Sequence, residues 1–234
     1  MSRPRLLDLF CGAGGAVGYE RAGFDVIGVD REPQPFYPFA FVQGDALAPP
    51  VDLAGFDVIH ASPPCQFATQ MSWRWRRVPG TLAAQRPDLL TPTLAMLRAQ
   101  SVPWIVENVE GARSACPAFR PTIKLHGGQF GLGVHRPRYF ESSLVLLGFT
   151  AGMCPEPVGV YGRAPDSRSL YERKKRTRLN GHGGKRSVMR APARLEEAQE
   201  AMGMDWADWH GTKEAIPPAY TEFLGEQLFR AVAR

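Results

Sequence analysis

The apolar residues fall in short blocks, each closed by glycine, proline or an acid. Leu6-Leu7-Asp8-Leu9-Phe10, Phe24-Asp25-Val26-Ile27-Gly28-Val29, Phe41-Val42-Gln43, Gly55-Phe56-Asp57-Val58-Ile59-His60-Ala61 and Val102-Pro103-Trp104-Ile105-Val106 read as five buried strands. A helix is expected over 16–22. Another is expected over 87–99; if it begins near Thr91, Pro92 falls in its first turn, where proline is tolerated. Residues 193–202 read as a helix, and Pro217-Pro218 opens a further one with Tyr220, Phe223, Leu224, Leu228, Ala231 and Val232 along one face. Around 135–141 the pattern suggests a turn and a strand, with Arg136 and Arg138 on one side by its period of two. Strands alternating with helices predict an α/β, Rossmann-like sheet with helices on both faces.

Candidate chemistry sits where the strands end. After the first strand comes Cys11-Gly12-Ala13-Gly14-Gly15, a turn whose glycines let a ligand approach the backbone. The second and third strands end in Asp30 and Asp45, the first placed for ribose hydroxyls and the second for an adenine amino group. There is no phosphate-binding lysine in the turn, which favours S-adenosylmethionine over a nucleoside triphosphate. The fourth strand runs into Ser62-Pro63-Pro64-Cys65-Gln66. Prolines cannot continue a sheet, so Cys65 should stand on a stiff loop at the sheet's carboxyl edge, a candidate nucleophile. A free cysteine is also commonly just a small buried hydrophobe. The fifth strand delivers Glu107-Asn108-Val109 to the same edge. An acid beside a thiol, with no histidine in that motif, suits protonation of a ring nitrogen while sulfur attacks; a helix-capping or ion-paired acid is the plainer alternative.

Charge and composition add a partner. Of 234 residues, the span 143–194 carries eleven Lys and Arg against three Asp and Glu, a local excess of eight in a chain of net charge +5 that leaves the remainder three negative. A near-neutral body with a basic segment points to a polyanion, nucleic acid first. Its densest run is Arg173-Lys174-Lys175-Arg176, and Arg74, Arg76 and Arg77 interleave with Trp73 and Trp75 in a second candidate surface. The four cysteines are scattered without a CxxC pair, against a zinc site or a disulfide framework. No apolar leader or membrane-spanning run is present, so a soluble, cytoplasmic protein without a membrane partner is expected.

In order along the chain, Asp8-Leu9-Phe10-Cys11-Gly12-Ala13-Gly14-Gly15, Pro64-Cys65-Gln66, Glu107-Asn108-Val109, Arg136-Pro137-Arg138 and the tail Glu214 to Tyr220 resemble the motifs of DNA (cytosine-5) methyltransferases, and the ending Met202-Gly203-Met204-Asp205-Trp206 through Pro217-Pro218 is especially similar to short phage-borne members. The resemblance spans everything except the basic segment. It implies an S-adenosylmethionine-dependent methyltransferase sheet formed by 1–142 with 195–234, and a small target-recognition region over 143–194. It further implies that Phe10, Gly12, Gly14, Asp30, Asp45 and Pro63 hold S-adenosylmethionine, with no metal. Cys65 would add to C6 of a cytosine flipped from duplex DNA, Glu107 would contact N3 and the exocyclic amine, and Arg136 or Arg138 would support the base or the acid. A thiolate is required, so a positive neighbour should lower the Cys65 pKa. The expected assembly is a monomer on double-stranded DNA in a bacterial or phage-infected host. The family's last motif usually has Gly-Asn where Glu214-Ala215 stand here. The alternatives are a transfer-RNA cytosine-5 methyltransferase and a catalytically silent nucleic-acid-binding module.

Overall fold

Leu6 and Leu7 of the first strand are both fully buried, on opposite faces of the sheet they form. The sheet is therefore covered twice, as a parallel sheet requires. The computed structural model describes residues 2–68, 86–152, 154–165, 177–179 and 187–233. Seven strands form the sheet: β1 (Arg5–Leu9), β2 (Asp25–Asp30), β3 (Ala40–Gln43), β4 (Val58–Ala61), β5 (Trp104–Asn108), β6 (Ile123–Leu125) and β7 (Arg138–Ser142), in the order β3-β2-β1-β4-β5-β7-β6. The first five are parallel; β7 runs antiparallel to both β5 and β6.

The helices are α1 (Val17–Arg21), α2 (Leu90–Arg98), the single turn α3 (Ala112–Ala115), α4 (Leu195–Met202), α5 (Trp209–Glu214) and α6 (Pro218–Val232). On one face, Leu6, Val26, Val58, Ile105 and Phe140 pack with Tyr19 of α1 and with Tyr220, Leu224 and Leu228 of α6. On the other, Leu7, Leu9, Ile59, Ala61, Trp104 and Val106 meet Leu90, Leu94 and Leu97 of α2. Helices α1 and α6 approach so closely that glycine is needed on each. A Cβ on Gly18 would lie 2.1 Å from the Pro218 carbonyl oxygen, and one on Gly225 would lie 2.8 Å from the Ala22 Cβ.

Helix α2 starts at Leu90, with Asp88 accepting from the Leu90 and Thr91 N–H groups, so Pro92 does sit in the first turn. Strand β5 runs two residues further than expected and carries Glu107 and Asn108 inside the sheet. The shared face expected for Arg136 and Arg138 is not formed. Arg136 has φ +32, in the left-handed region, and lies outside β7. Pro137 follows it and lacks an N–H for a ladder, so the period of two begins only at Arg138.

Beyond β7 the chain crosses α6, where the Gln227 amide exchanges hydrogen bonds with both backbone groups of Leu147. Val158 and Val160 then join a third apolar cluster with Ala198, Ala201 and Met202 of α4. Val158 bridges Arg190, and β8 (Thr177–Leu179) pairs antiparallel with β9 (Ser187–Met189). Among the described residues, no helix is long and apolar enough to cross a membrane.

Replacing Gly18 with alanine inserts a methyl into the α1–α6 contact. The substitution should cost about 1–3 kcal/mol, read as a lower urea midpoint at unchanged slope; a wild-type midpoint would contradict this account of the glycine.

Candidate active site

The turn after β1 is held in an uncommon backbone. Phe10, Gly12 and Gly14 have φ of +57, +53 and +96, and positive φ in a residue other than glycine clusters at functional sites. Among the described residues, a Cβ on Gly12 would meet nothing within 4 Å. Its far side is clamped by the C-terminal region: Trp206 Nε1 donates to the Ala13 carbonyl at 2.8 Å, Thr221 Oγ1 donates to the Gly15 carbonyl, and Ile216 lies against Gly15. Asp30 Oδ2 accepts from the Gly12 N–H at 3.1 Å and its Oδ1 from the Glu32 N–H. Asp45 accepts from the Leu47 N–H and from Arg31, which hold its carboxyl below its ordinary pKa. A glycine turn flanked by acids on β2 and beyond β3 fits an adenosine-bearing cofactor.

Behind this turn lies a buried polar group. Asp8 and His60 are registered neighbours on β1 and β4, with His60 Nδ1 hydrogen-bonded to Asp8 Oδ1 at 2.7 Å and Tyr37 Oη donating to Asp8 at 3.2 Å. The Tyr19 ring lies 5.1 Å from the imidazole.

Cys65 opens a short 3-10 turn, Cys65–Phe67, and is half-buried. The preceding loop is tied to both neighbouring strands. Ser62 Oγ donates to the Phe10 carbonyl at 3.1 Å, and the buried Asn108 Nδ2 donates to the Pro63 carbonyl at 3.0 Å. Beside it, Arg138 Nε lies 2.7 Å from Glu107 Oε1 in a buried ion pair. Arg136 turns elsewhere. Its Nε and Nη2 donate to the carbonyls of Ala215 and Lys213, closing the end of α5, while its own carbonyl accepts from Tyr220 Oη at 3.0 Å. The structure thus brings Cys65, Glu107 and Arg138 to one sheet edge and gives Arg136 a bracing position behind them. Arg74, Arg76, Arg77 and Arg173, Lys174, Lys175, Arg176, with Trp73 and Trp75, lie outside the described residues.

No family model matches the chain, and no curated protein matches it. Solved structures do, over essentially the whole length. A protein assigned as a DNA modification methyltransferase encoded within an E. coli prophage is 17% identical, with a TM-score of 0.57 over 99% of this chain and 100% of its own. The S. pombe Dnmt2 methyltransferase is 13% identical, with a TM-score of 0.59 over 100% of both chains, and the Entamoeba histolytica methyltransferase EhMeth 12% identical, with 0.58 over 100% of both. The fold is that of the S-adenosylmethionine-dependent methyltransferases.

In this methyltransferase fold the site has an electrostatic character that the sequence did not give. Burial pushes the Cys65 thiol pKa up. Arg138 and Arg136 pull it down as a positive neighbour should, but Glu107 and Glu214 oppose them and the net shift is upward. The positive neighbours lower the pKa as expected, but desolvation of the half-enclosed thiolate outweighs the two guanidinium groups. Burial likewise raises the Glu107 pKa against the pull of Arg138, His60 and Arg136. Burial and the neighbouring Arg138 bring Arg136 down to about 10. Three residues that sequence reasoning gave no role also shape the site: Asn108, Trp206 and Tyr161. The Tyr161 ring lies 5.9 Å from the Arg136 guanidinium. Asn108 was visible as the residue after Glu107, and Trp206 as the end of the Met202-Gly203-Met204-Asp205-Trp206 stretch, though without a role; Tyr161 carries no local signal.

The raised Cys65 pKa predicts slow alkylation that keeps climbing with pH. In a Cys154→Ser background, which removes the other half-buried thiol, the iodoacetamide rate at Cys65 should still be rising above about pH 8.5, the ordinary cysteine pKa. A rate that levels off below that pH would contradict the assignment.

Proposed function

We propose that this chain is a DNA cytosine-5 methyltransferase acting through a covalent Cys65 adduct. The observation that carries the reading is the meeting of a half-buried thiol on a pinned loop with a buried Glu107–Arg138 pair on the adjoining strands. A hydrolytic cysteine would need a basic partner; here the partner is an acid whose pKa burial raises against the pull of Arg138. That combination suits addition of sulfur to C6 of a pyrimidine while N3 receives a hydrogen bond or proton.

In this mechanism Phe10, Gly12, Gly14, Asp30, Asp45 and Pro63 hold S-adenosylmethionine. When bound, it supplies the electrophilic methyl group that C5 takes up. Cys65 forms the S–C6 bond as its thiolate. Glu107 binds N3 and the exocyclic amine and stabilises the electron pair that moves toward C5. Arg138 fixes Glu107 by the 2.7 Å ion pair; Arg136 fixes the backbone of residues 213–215. After methylation C5 gives up its proton to a base, the S–C6 bond breaks, and the thiolate leaves as the ring regains its double bond.

Duplex DNA is the substrate of this reading, supported by the basic span 143–194 and by the similarity to a prophage protein assigned as a DNA modification methyltransferase. That span is the proposed recognition region, and its small size offers few side chains for base edges, so the target sequence should be short or relaxed.

Cys65→Ala should abolish methyl transfer to DNA while calorimetry still detects S-adenosylmethionine binding, and Glu107→Gln should lower kcat by about a hundredfold or more. Retained transfer by Cys65→Ala would overturn the covalent mechanism. Transfer to transfer RNA with none to duplex DNA would replace the substrate and leave the chemistry.

A further inference from the structure

Within the recognition span, the Tyr161 ring lies beside Arg136, at the margin of the catalytic cluster. Tyr161 is 41% exposed, although it belongs to a well-held piece of backbone. Just before it, Val158 and Val160 are buried in the cluster with α4. The Val158 N–H donates to the Gly133 carbonyl at 2.7 Å, the Gly159 N–H to the Arg190 carbonyl at 2.7 Å, and the Tyr161 N–H to the Gly159 carbonyl at 3.1 Å. Just after it, the Gly162 carbonyl accepts from Trp209 Nε1 at 3.0 Å. Gly162 itself has φ +75, and among the described residues a Cβ there would meet nothing within 4 Å. An exposed aromatic ring is thus presented from an anchored strap.

What the ring borders decides its use. Its centroid is 5.9 Å from the Arg136 guanidinium, within cation–π range. Arg138 is the residue paired with Glu107, and both arginines act on the Cys65 thiol. The ring therefore stands at the margin of the cluster that would hold an extrahelical base. A flipped base leaves its stacking partners in the duplex, and a pocket that replaces them with an aromatic face recovers part of that energy. Taking the site as one that methylates a flipped pyrimidine, which is the reading above, we propose that Tyr161 is a base-stacking residue of the recognition span, whose ring packs on the extrahelical cytosine at the edge of the Arg136–Arg138 cluster.

A purely structural ring would only cover Arg136, and leucine could do that; stacking needs a π-face. The test compares Tyr161→Phe, Tyr161→Leu and Tyr161→Ala in the full chain. A cytosine that the wild type methylates is first mapped in plasmid DNA by bisulfite sequencing. Duplexes carrying that site are then used for kinetics, and the same duplex with 2-aminopurine at the target position for fluorescence. Tyr161→Phe should keep kcat/KM near the wild type. Tyr161→Leu and Tyr161→Ala should lose about 5- to 100-fold, the range of single base–aromatic stacks, with S-adenosylmethionine binding unchanged. Bound 2-aminopurine should be brighter in both than in the wild type, where the ring quenches it. Wild-type kinetics and emission in Tyr161→Leu would overturn the proposal, and that variant decides the matter even if Tyr161→Ala does not fold. A wild-type chain that methylates no cytosine in DNA or RNA would instead remove the reading on which the proposal rests, and the proposal with it.

Discussion

Burying a carboxylate or a guanidinium alone is costly, and the sheet itself sets Glu107 and Arg138 against each other at 2.7 Å. The direction of β7 makes it possible. Chemistry in an open α/β sheet gathers at the carboxyl ends of the parallel strands. A parallel β7 would bring its last residues there. Because β7 is antiparallel to β5, it brings its first residue, Arg138, to the level where β5 ends with Glu107 and Asn108. The same edge receives the Cys65 loop from β4, pinned by Asn108 to the Pro63 carbonyl. Thiol, acid and guanidinium are thus set at one edge by three adjacent strands.

The second support comes from the C-terminal region, which folds back over the N-terminal turn. Trp206 and Thr221 hold the Ala13 and Gly15 carbonyls, and Ile216 fills the space that Gly15 leaves. Arg136 joins the same region from the other side by gripping Lys213 and Ala215, while Tyr220 returns a hydrogen bond to its carbonyl. Residues 206–221 therefore connect the glycine turn to the catalytic edge. Glu214-Ala215, which depart from the pattern this chain otherwise resembles, lie within that connection; the Ala215 carbonyl is an acceptor for Arg136, a job that any residue's backbone can do.

Much of this was legible because strand ends leave strong local marks. Apolar blocks closed by glycine, acid or proline located β1 to β5, the glycine turn and the Cys65 loop to within a few residues. The five parallel strands and helix-covered faces follow from that pattern. What was not legible depends on contacts far apart in sequence or on single backbone angles. Arg136 and Arg138 looked alike by period, yet φ +32 at Arg136 sends one guanidinium to the end of α5 and leaves the other at Glu107. Helix α5 is too short and polar to announce itself, and the Trp206 contact spans 193 positions. The Cys65 shift is a contest of magnitudes. The positive neighbours were correctly anticipated, but how deeply the thiol is enclosed decides the sign, and enclosure is a property of the fold.

The central claim is that sulfur of Cys65 bonds to C6 of a cytosine as a methyl group is added to C5. DNA in which cytosine is replaced by 5-fluorocytosine tests it directly, because fluorine at C5 cannot leave as a proton and the adduct cannot resolve. Incubation with S-adenosylmethionine should yield a denaturation-resistant protein–DNA species, and mass spectrometry should place the linkage on the peptide containing Cys65. An enzyme that methylates ordinary DNA yet forms no such species, or forms it through another residue, would contradict the account.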